Sequence, residues 1–237
     1  MLQTPFLTAL TLLLIVPFSF AQAQSGGVSL GQTRVIFSSG DKSQIINVIN
    51  SSSRAYLVQT RVQTATEAAP YFIVTPPLFA LKGDSRQLMR ILPLSSTSTL
   101  PADRESLFYL SVSAIPAVGS PVIEQDRLSV GLRFILKLFY RPAGLELSSE
   151  EAACRLTVRR VVQGLQINNP TPYYQTLGTL SSNGHTLAID RKLSMMAPQS
   201  SLTLPVKVKD QVSWQTITDY GGLSPLCHQS FAVRNIP

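Results

Sequence analysis

The chain has 237 residues, 20 Lys+Arg against 13 Asp+Glu for a net charge of +7, two cysteines and two histidines. That length holds one large or two ordinary domains. The basic excess lacks the dense Lys/Arg run with interleaved aromatics that nucleic-acid binding needs, and no phosphate loop, catalytic carboxylate pair or dinucleotide fingerprint appears, so neither nucleic acid nor a cofactor is expected.

In chain order, Phe6 to Phe20 is almost unbroken apolar sequence, and Ala21-Gln22-Ala23 fits a small-residue cleavage site. The run is shorter than the ~20 residues that span a bilayer. Residues 1–23 therefore read as a removed export signal, although no Lys or Arg precedes the apolar run; a retained anchor is the alternative. Gly27-Val28-Ser29-Leu30-Gly31 matches a G-x-S-x-G nucleophile elbow, but that elbow needs a strand before it, a helix after it and a later histidine. Here it sits beside the mature terminus with no helical pattern following, and His185 and His228 are the only histidines. No enzyme is expected, nor a metal site, since Cys227-His228 has only Cys154 and His185 to complete it.

Short runs rich in β-branched and aromatic residues follow. Val35-Ile36-Phe37, Gln44 to Ile49, Tyr56 to Val62 and Ser106 to Ile115 read as strands, separated by turn formers at Ser38 to Asp41, Asn50 to Ser53, Lys82 to Ser85 and Pro116 to Pro121. No stretch of ten or more shows a capped helical period. Leu128 to Pro142 reads as one long strand, apolar on alternate residues in its first half. Arg133 and Lys137 interrupt it, and Gly131 inside it would weaken pairing. Such a strand needs something to cover its apolar row, either this chain or another.

Arg141-Pro142-Ala143-Gly144 is the best domain boundary, because proline ends strand pairing and the glycine frees the turn. Residues 24–141 carry twelve Lys/Arg against seven Asp/Glu, and residues 142–237 eight against six. The second half follows the same pattern with different residues. Arg155 to Val162, Gly164 to Ile167, Tyr173 to Leu180, Leu202 to Lys209 and Ser213 to Thr218 read as strands. The fold expected is all-β, two sandwiches (24–141 and 142–237) joined by a short link with a cleft between them. Cys154 and Cys227 lie in the second half. In the oxidising compartment an exported chain meets they form a bridge; two separate buried thiols are the alternative.

Five blocks in order resemble the PapD-like family of periplasmic pilus-assembly chaperones: Val28 to Phe37, Leu100 to Tyr109 with Ile115-Pro116, Leu136 to Pro142, Asn169 to Tyr174, and Thr218-Asp219-Tyr220-Gly221-Gly222. The resemblance implies two immunoglobulin-like domains set as a boomerang in a periplasmic chaperone. Such a chaperone binds, folds and caps pilus subunits by donor-strand complementation and hands them to an outer-membrane usher. It implies that Leu128, Val130 and Leu132 fill the subunit groove, that Arg34 and Lys137 anchor the subunit's terminal carboxylate, and that Glu105, Arg141 and Asp219 form a structural ion network between the domains. Strict alternation puts Lys137 on the face opposite Leu132, unless twist or a bulge re-aims it. The short, cysteine-free connection from Ile115 to Arg127 resembles the short-loop (F1–G1) class, which usually serves rod-forming pili. Two states of the free chain stay open, a monomer and a homodimer whose copies cap each other's edge. A pilus subunit is the rival reading, but such a chain should start with a donor extension and lack its own final strand.

Overall fold

A computed structural model describes residues 27–63, 70–117, 130–190 and 194–231. The first half holds β1 (Val28–Leu30), β2 (Arg34–Ser38), β3 (Gln44–Asn50), β4 (Tyr56–Gln63), β5 (Phe72–Thr75), β6 (Leu78–Leu81), β7 (Ser85–Pro93), β8 (Ser106–Pro116) and β9 (Leu132–Arg141). They form a four-stranded sheet in the order β1-β3-β7-β5 and a five-stranded sheet in the order β2-β9-β8-β4-β6. Alternation drives the packing. In β3, Ile46 and Val48 point in while Ile45, Asn47 and Ile49 point out. The inward rows of both sheets meet in one core that includes Val35, Phe37, Met89, Ile91, Leu110, Val112 and Leu138. Phe72 packs its ring against both Phe37 and Phe108 at its centre. Each such fully buried side chain contributes about 1.5–3 kcal/mol before ordering costs.

The opening segment Val28 to Phe37 is two strands rather than one. β1 pairs antiparallel with β3 in one sheet, and β2 pairs parallel with β9 in the other. The switch falls at Gly31, whose N–H still reaches the Asn47 carbonyl at 3.0 Å, and where a Cβ would lie 3.3 Å from Asn47 Cβ.

The second half holds a one-turn helix α1 (Ser149–Ala152), then β10 (Thr157–Val161), β11 (Gly164–Asn169), β12 (Gln175–Ser182), β13 (His185–Thr186), β14 (Met195–Met196), β15 (Ser200–Leu204), β16 (Gln211–Thr216) and β17 (Cys227–Ser230). Ser148 and Glu151 close a capping box on α1. The sheets run β10-β11-β15 and β13-β12-β16-β17, with β14 on β12. They enclose a second core built on Leu165, Ile167, Leu180, Val212 and Trp214. Cys154 and Cys227 are joined, with Cα atoms 5.2 Å apart, tying the end of the helical segment to β17. The expected strand Leu202 to Lys209 stops at Leu204, where Pro205 removes the next ladder donor. The fold is thus all-β, two sandwiches in one chain.

Candidate functional site

β9 is paired with β8 from Leu132 opposite Ala114 to Tyr140 opposite Ser106. Its other edge meets β2 only from Lys137 to Arg141, where the two strands run parallel. Among the described residues, nothing pairs with that edge from Leu132 to Leu136. A five-residue row of backbone donors and acceptors is open there, a template for strand addition.

Among the described residues the strand runs from Leu132. Val130 and Gly131 precede it, and Leu128 lies outside the described residues. Gly131 therefore does not interrupt the strand; a Cβ there would meet Ala114 O at an ordinary 3.5 Å. The β8–β9 register is unbroken, so no bulge re-aims Lys137. Leu132, Phe134, Leu136 and Leu138 share the face toward the core, while Arg133, Ile135, Lys137, Phe139 and Arg141 share the opposite face. Leu136 and Leu138 are buried in the chain's own core, but Leu132 is 40% exposed and Val130 64% exposed. One apolar row thus starts inside the sandwich and runs out past its edge.

Arg34 and Lys137 sit where the open edge ends. They are register partners in the parallel ladder, so their side chains share a face. This face meets the second half. Arg34 Nη1 donates to the Ile217 carbonyl at 3.2 Å, and Lys137 Nζ stands 3.5 Å from Thr176 Oγ1. Gly221, at φ +86, lets the loop after β16 press onto Thr33, the residue before Arg34; a Cβ there would lie 2.5 Å from Thr33 Oγ1. Arg34 Nε is buried with no hydrogen-bond partner among the described residues, an unmet donor that costs free energy until an acceptor arrives. Burial pushes the Arg34 guanidinium below its ordinary value, against the pull of Asp219 and Glu105. Burial, and then the neighbouring Arg34 charge, push Lys137 down as well. Two half-buried cations side by side, one with an idle donor, are chemically suited to pairing with an anion.

Behind them lies the ion network. Arg141 donates from Nε to Glu105 Oε1 at 2.9 Å and from Nη1 and Nη2 to the two Asp219 oxygens at 2.7 and 2.9 Å. Ser149 Oγ donates to Asp219 Oδ2 at 2.9 Å, and the Tyr174 N–H donates to Glu105 Oε2 at 2.9 Å. The Arg141–Asp219 and Tyr174–Glu105 bonds thus tie the first sandwich to the second. Burial raises the Glu105 carboxyl above its usual range, against the pull of Arg141 and the Tyr174 N–H. Burial also pushes Asp219 up, but hydrogen bonds from Arg141 and Ser149 outweigh it and hold the group low. The Asn169-Pro170-Thr171-Pro172 corner sets this geometry, because the buried Asn169 amide donates to the Tyr173 and Ala197 carbonyls and accepts from Thr171. Tyr173 then lies under the Arg141 guanidinium, 4.9 Å from ring centroid to Cζ. A cavity of about 150 Å³ between the halves is lined by Arg34, Glu105, Phe139, Arg141, Tyr174 and Asp219, among others.

Sequence reasoning missed Ser149, Tyr173, Thr176 and the Ile217 carbonyl as partners of these cations, and Tyr174 as a partner of Glu105. The Asn169 to Tyr174 block was the available signal for two of them; a lone Ser, a lone Thr and a backbone carbonyl carry none. Ser29 lies exposed in β1, with the chain turning into β2 rather than a helix. Cys227 is held in the disulfide and is not a free thiolate ligand.

Comparison with known proteins points the same way. Residues 27–146 match the model of the pili and flagellar-assembly chaperone PapD N-terminal domain, and residues 151–228 that of the pili assembly chaperone PapD C-terminal domain. The chain is 38% identical over 216 residues to the chaperone protein FimC of Escherichia coli K12, covering 90% of this chain and 88% of FimC. It is 34% identical over 214 residues to the Escherichia coli chaperone protein FocC, covering 88% and 90% of the two chains. Among solved structures, the periplasmic chaperone SfaE superposes with a TM-score of 0.73 at 32% identity, over 86% of this chain and 100% of that one. The Salmonella enterica SafA pilin in complex with the SafB chaperone gives 0.75 at 30% identity, over 86% and 96%.

Proposed function

The chain belongs to the PapD-type family of pili and flagellar-assembly chaperones, and on that premise we propose that it lends the open edge of β9 to a pilus subunit as the subunit's missing strand. It is a chaperone of fimbrial assembly. An immunoglobulin-like subunit without its last strand exposes an apolar groove and unpaired backbone groups, both costly in water. Leu132 and Val130 project past the chaperone's own core, and Leu128, two residues before Val130 in the sequence, lies outside the described residues. These side chains enter the groove while main-chain bonds complete the ladder, each bond worth about 0.5–1.5 kcal/mol net.

Polarity follows from the anchor. β2 occupies the lane beside Lys137–Arg141 and begins at Arg34. A client strand in the same lane beside Leu132–Leu136 can bring its C-terminal carboxylate to Arg34 and Lys137 only if it too runs parallel to β9. The opposite faces of Leu132 and Lys137 then serve separate ends, because one face feeds the client's core and the other grips the client's terminus from the cleft. Glu105, Arg141 and Asp219 act as structure, holding the second sandwich where Ile217 and Thr176 complete the cleft.

Residues 1–23 direct export to the periplasm, where the disulfide is stable; the loaded chaperone passes its cargo to an outer-membrane usher, and the unloaded one shields its edge against a second copy. The observation that carries the reading is the open β9 edge ending at Arg34 and Lys137, with Arg34 Nε unpartnered. Co-expression with a pilus subunit tests it. A one-to-one complex that protects the subunit from proteolysis is expected, and a subunit equally degraded with and without the chaperone contradicts it.

A further inference from the structure

The five strands β2, β9, β8, β4 and β6 contain no Asp or Glu, yet they carry Arg34, Arg61, Arg133, Lys137 and Arg141. All five cations lie on the sheet's outer face, because the alternate residues Val35, Val58, Leu110, Leu136 and Leu138 fill the core. Arg141 is neutralised by Glu105 and Asp219. The other four have no ion pair among the described residues. Arg34 and Lys137 belong to the carboxylate anchor. Arg61 and Arg133 have no part in it.

These two stand further out along the same face. Arg61 is opposite Ser111, and Arg133 is opposite Ser113 on the other side of β8. Arg133 donates from Nε to Ser111 Oγ at 3.0 Å and from Nη2 to Gln63 Oε1 at 3.5 Å. Both acceptors are neutral, so they steady the guanidinium without cancelling its charge. Both arginines are exposed.

We infer that Arg133, with Arg61 two strands away adding to the positive field of the face, forms a second, electrostatic contact that selects clients carrying an acidic side chain beside their terminal strand. The inference rests on the strand-lending reading. A strand laid beside Leu132–Leu136 turns alternate side chains to the face that bears Arg133, Ile135 and Lys137. One of them falls beside Arg133, about 13 Å up the strand from the anchor at ~3.3 Å per residue. On a sheet with no acidic residue, a client carboxylate there gains a charge-assisted bond. A client lysine meets like charge. Such rim charges act mainly on the rate of encounter and on partner choice, so this contact sorts clients that share the same terminal carboxylate.

The test uses the mature full-length protein and short synthetic peptides with alternating inward Val and Leu and a free C-terminal carboxylate. The peptides differ only in Glu, Gln or Lys at the outward position beside Arg133. Association and dissociation are measured by surface plasmon resonance. The Glu peptide should associate about tenfold faster than the Lys peptide at low salt, with Gln between them. The spread should vanish near 1 M salt, where the Debye length is about 3 Å, and in the R61Q/R133Q variant. It should invert in R61E/R133E. If the three peptides bind the wild type alike while C-terminal amidation still weakens all of them, the inference falls and the anchor stands. If neither the acid nor the amide forms bind, the strand-lending reading fails and takes this inference with it.

Discussion

Replacing Arg34 with alanine separates the anchor from the fold. In the free chain, among the described residues, the guanidinium makes one hydrogen bond, to Ile217 O at 3.2 Å, and leaves Nε unpartnered. That bond is worth about 1 kcal/mol net, and removing a half-buried cation relieves part of the burial penalty that depresses its pKa. The free variant should lose at most ~1 kcal/mol of stability, a Tm shift of a few degrees. With a client carboxylate in place, the same truncation breaks a buried charge pair, a loss of about 2–5 kcal/mol. That is roughly a thirtyfold to several-thousandfold rise in Kd. Calorimetric titration of wild type and R34A with one peptide ending in a carboxylate or an amide closes a double cycle. Amidation should weaken wild-type binding more than tenfold and R34A binding far less, because only Lys137 remains to notice the charge. Equal amidation penalties in both proteins would refute the assignment.

Val130→Lys should leave the free fold within about 0.5 kcal/mol, as exposed substitutions do, yet weaken subunit binding over a hundredfold by forcing a charge into an apolar groove; normal co-purification of the subunit would mean that this side chain faces elsewhere. Alkaline pH gives an independent sign. Lys137 loses its proton below its ordinary value, so affinity for a carboxylate-ended peptide should fall as pH climbs toward the ordinary lysine value of about 10. The unfolded chain keeps that proton longer than the folded one, so in the same window this group makes the free protein more stable, not less. Affinity and stability should diverge in paired titration and melting series, and Lys137→Arg should flatten the affinity slope; a wild-type slope unchanged by that substitution would locate the titration elsewhere.

Alternation made the core strands readable. In β8, Leu110 and Val112 alternate with Ser111 and Ser113, while β3 is marked instead by its dense β-branched run, in which Ile46 and Val48 point in and Ile45 and Ile49 point out. β7 was not readable, because Leu88 points outward among Arg86 and Arg90 and blurs the period that Met89 and Ile91 set. The division of Val28 to Phe37 into two strands was hidden too, since Gly31 marks the break but only the partner strands show that the sheet changes. At the cleft, alternation correctly separates Lys137 from Leu132. The reason the separation is useful comes from the second sandwich, where Thr176 and the Ile217 carbonyl meet the two cations. Those contacts span many residues and leave no local pattern.

Hydrogen exchange on the subunit complex addresses the lending of β9 most directly. In the free chain, the amides between Leu132 and Leu136 that point away from β8 have no ladder partner among the described residues. Loading with a subunit should slow their exchange strongly while the amides already bonded to β8 change little. A stable, stoichiometric complex in which the outward amides exchange as fast as before would contradict strand addition at this edge.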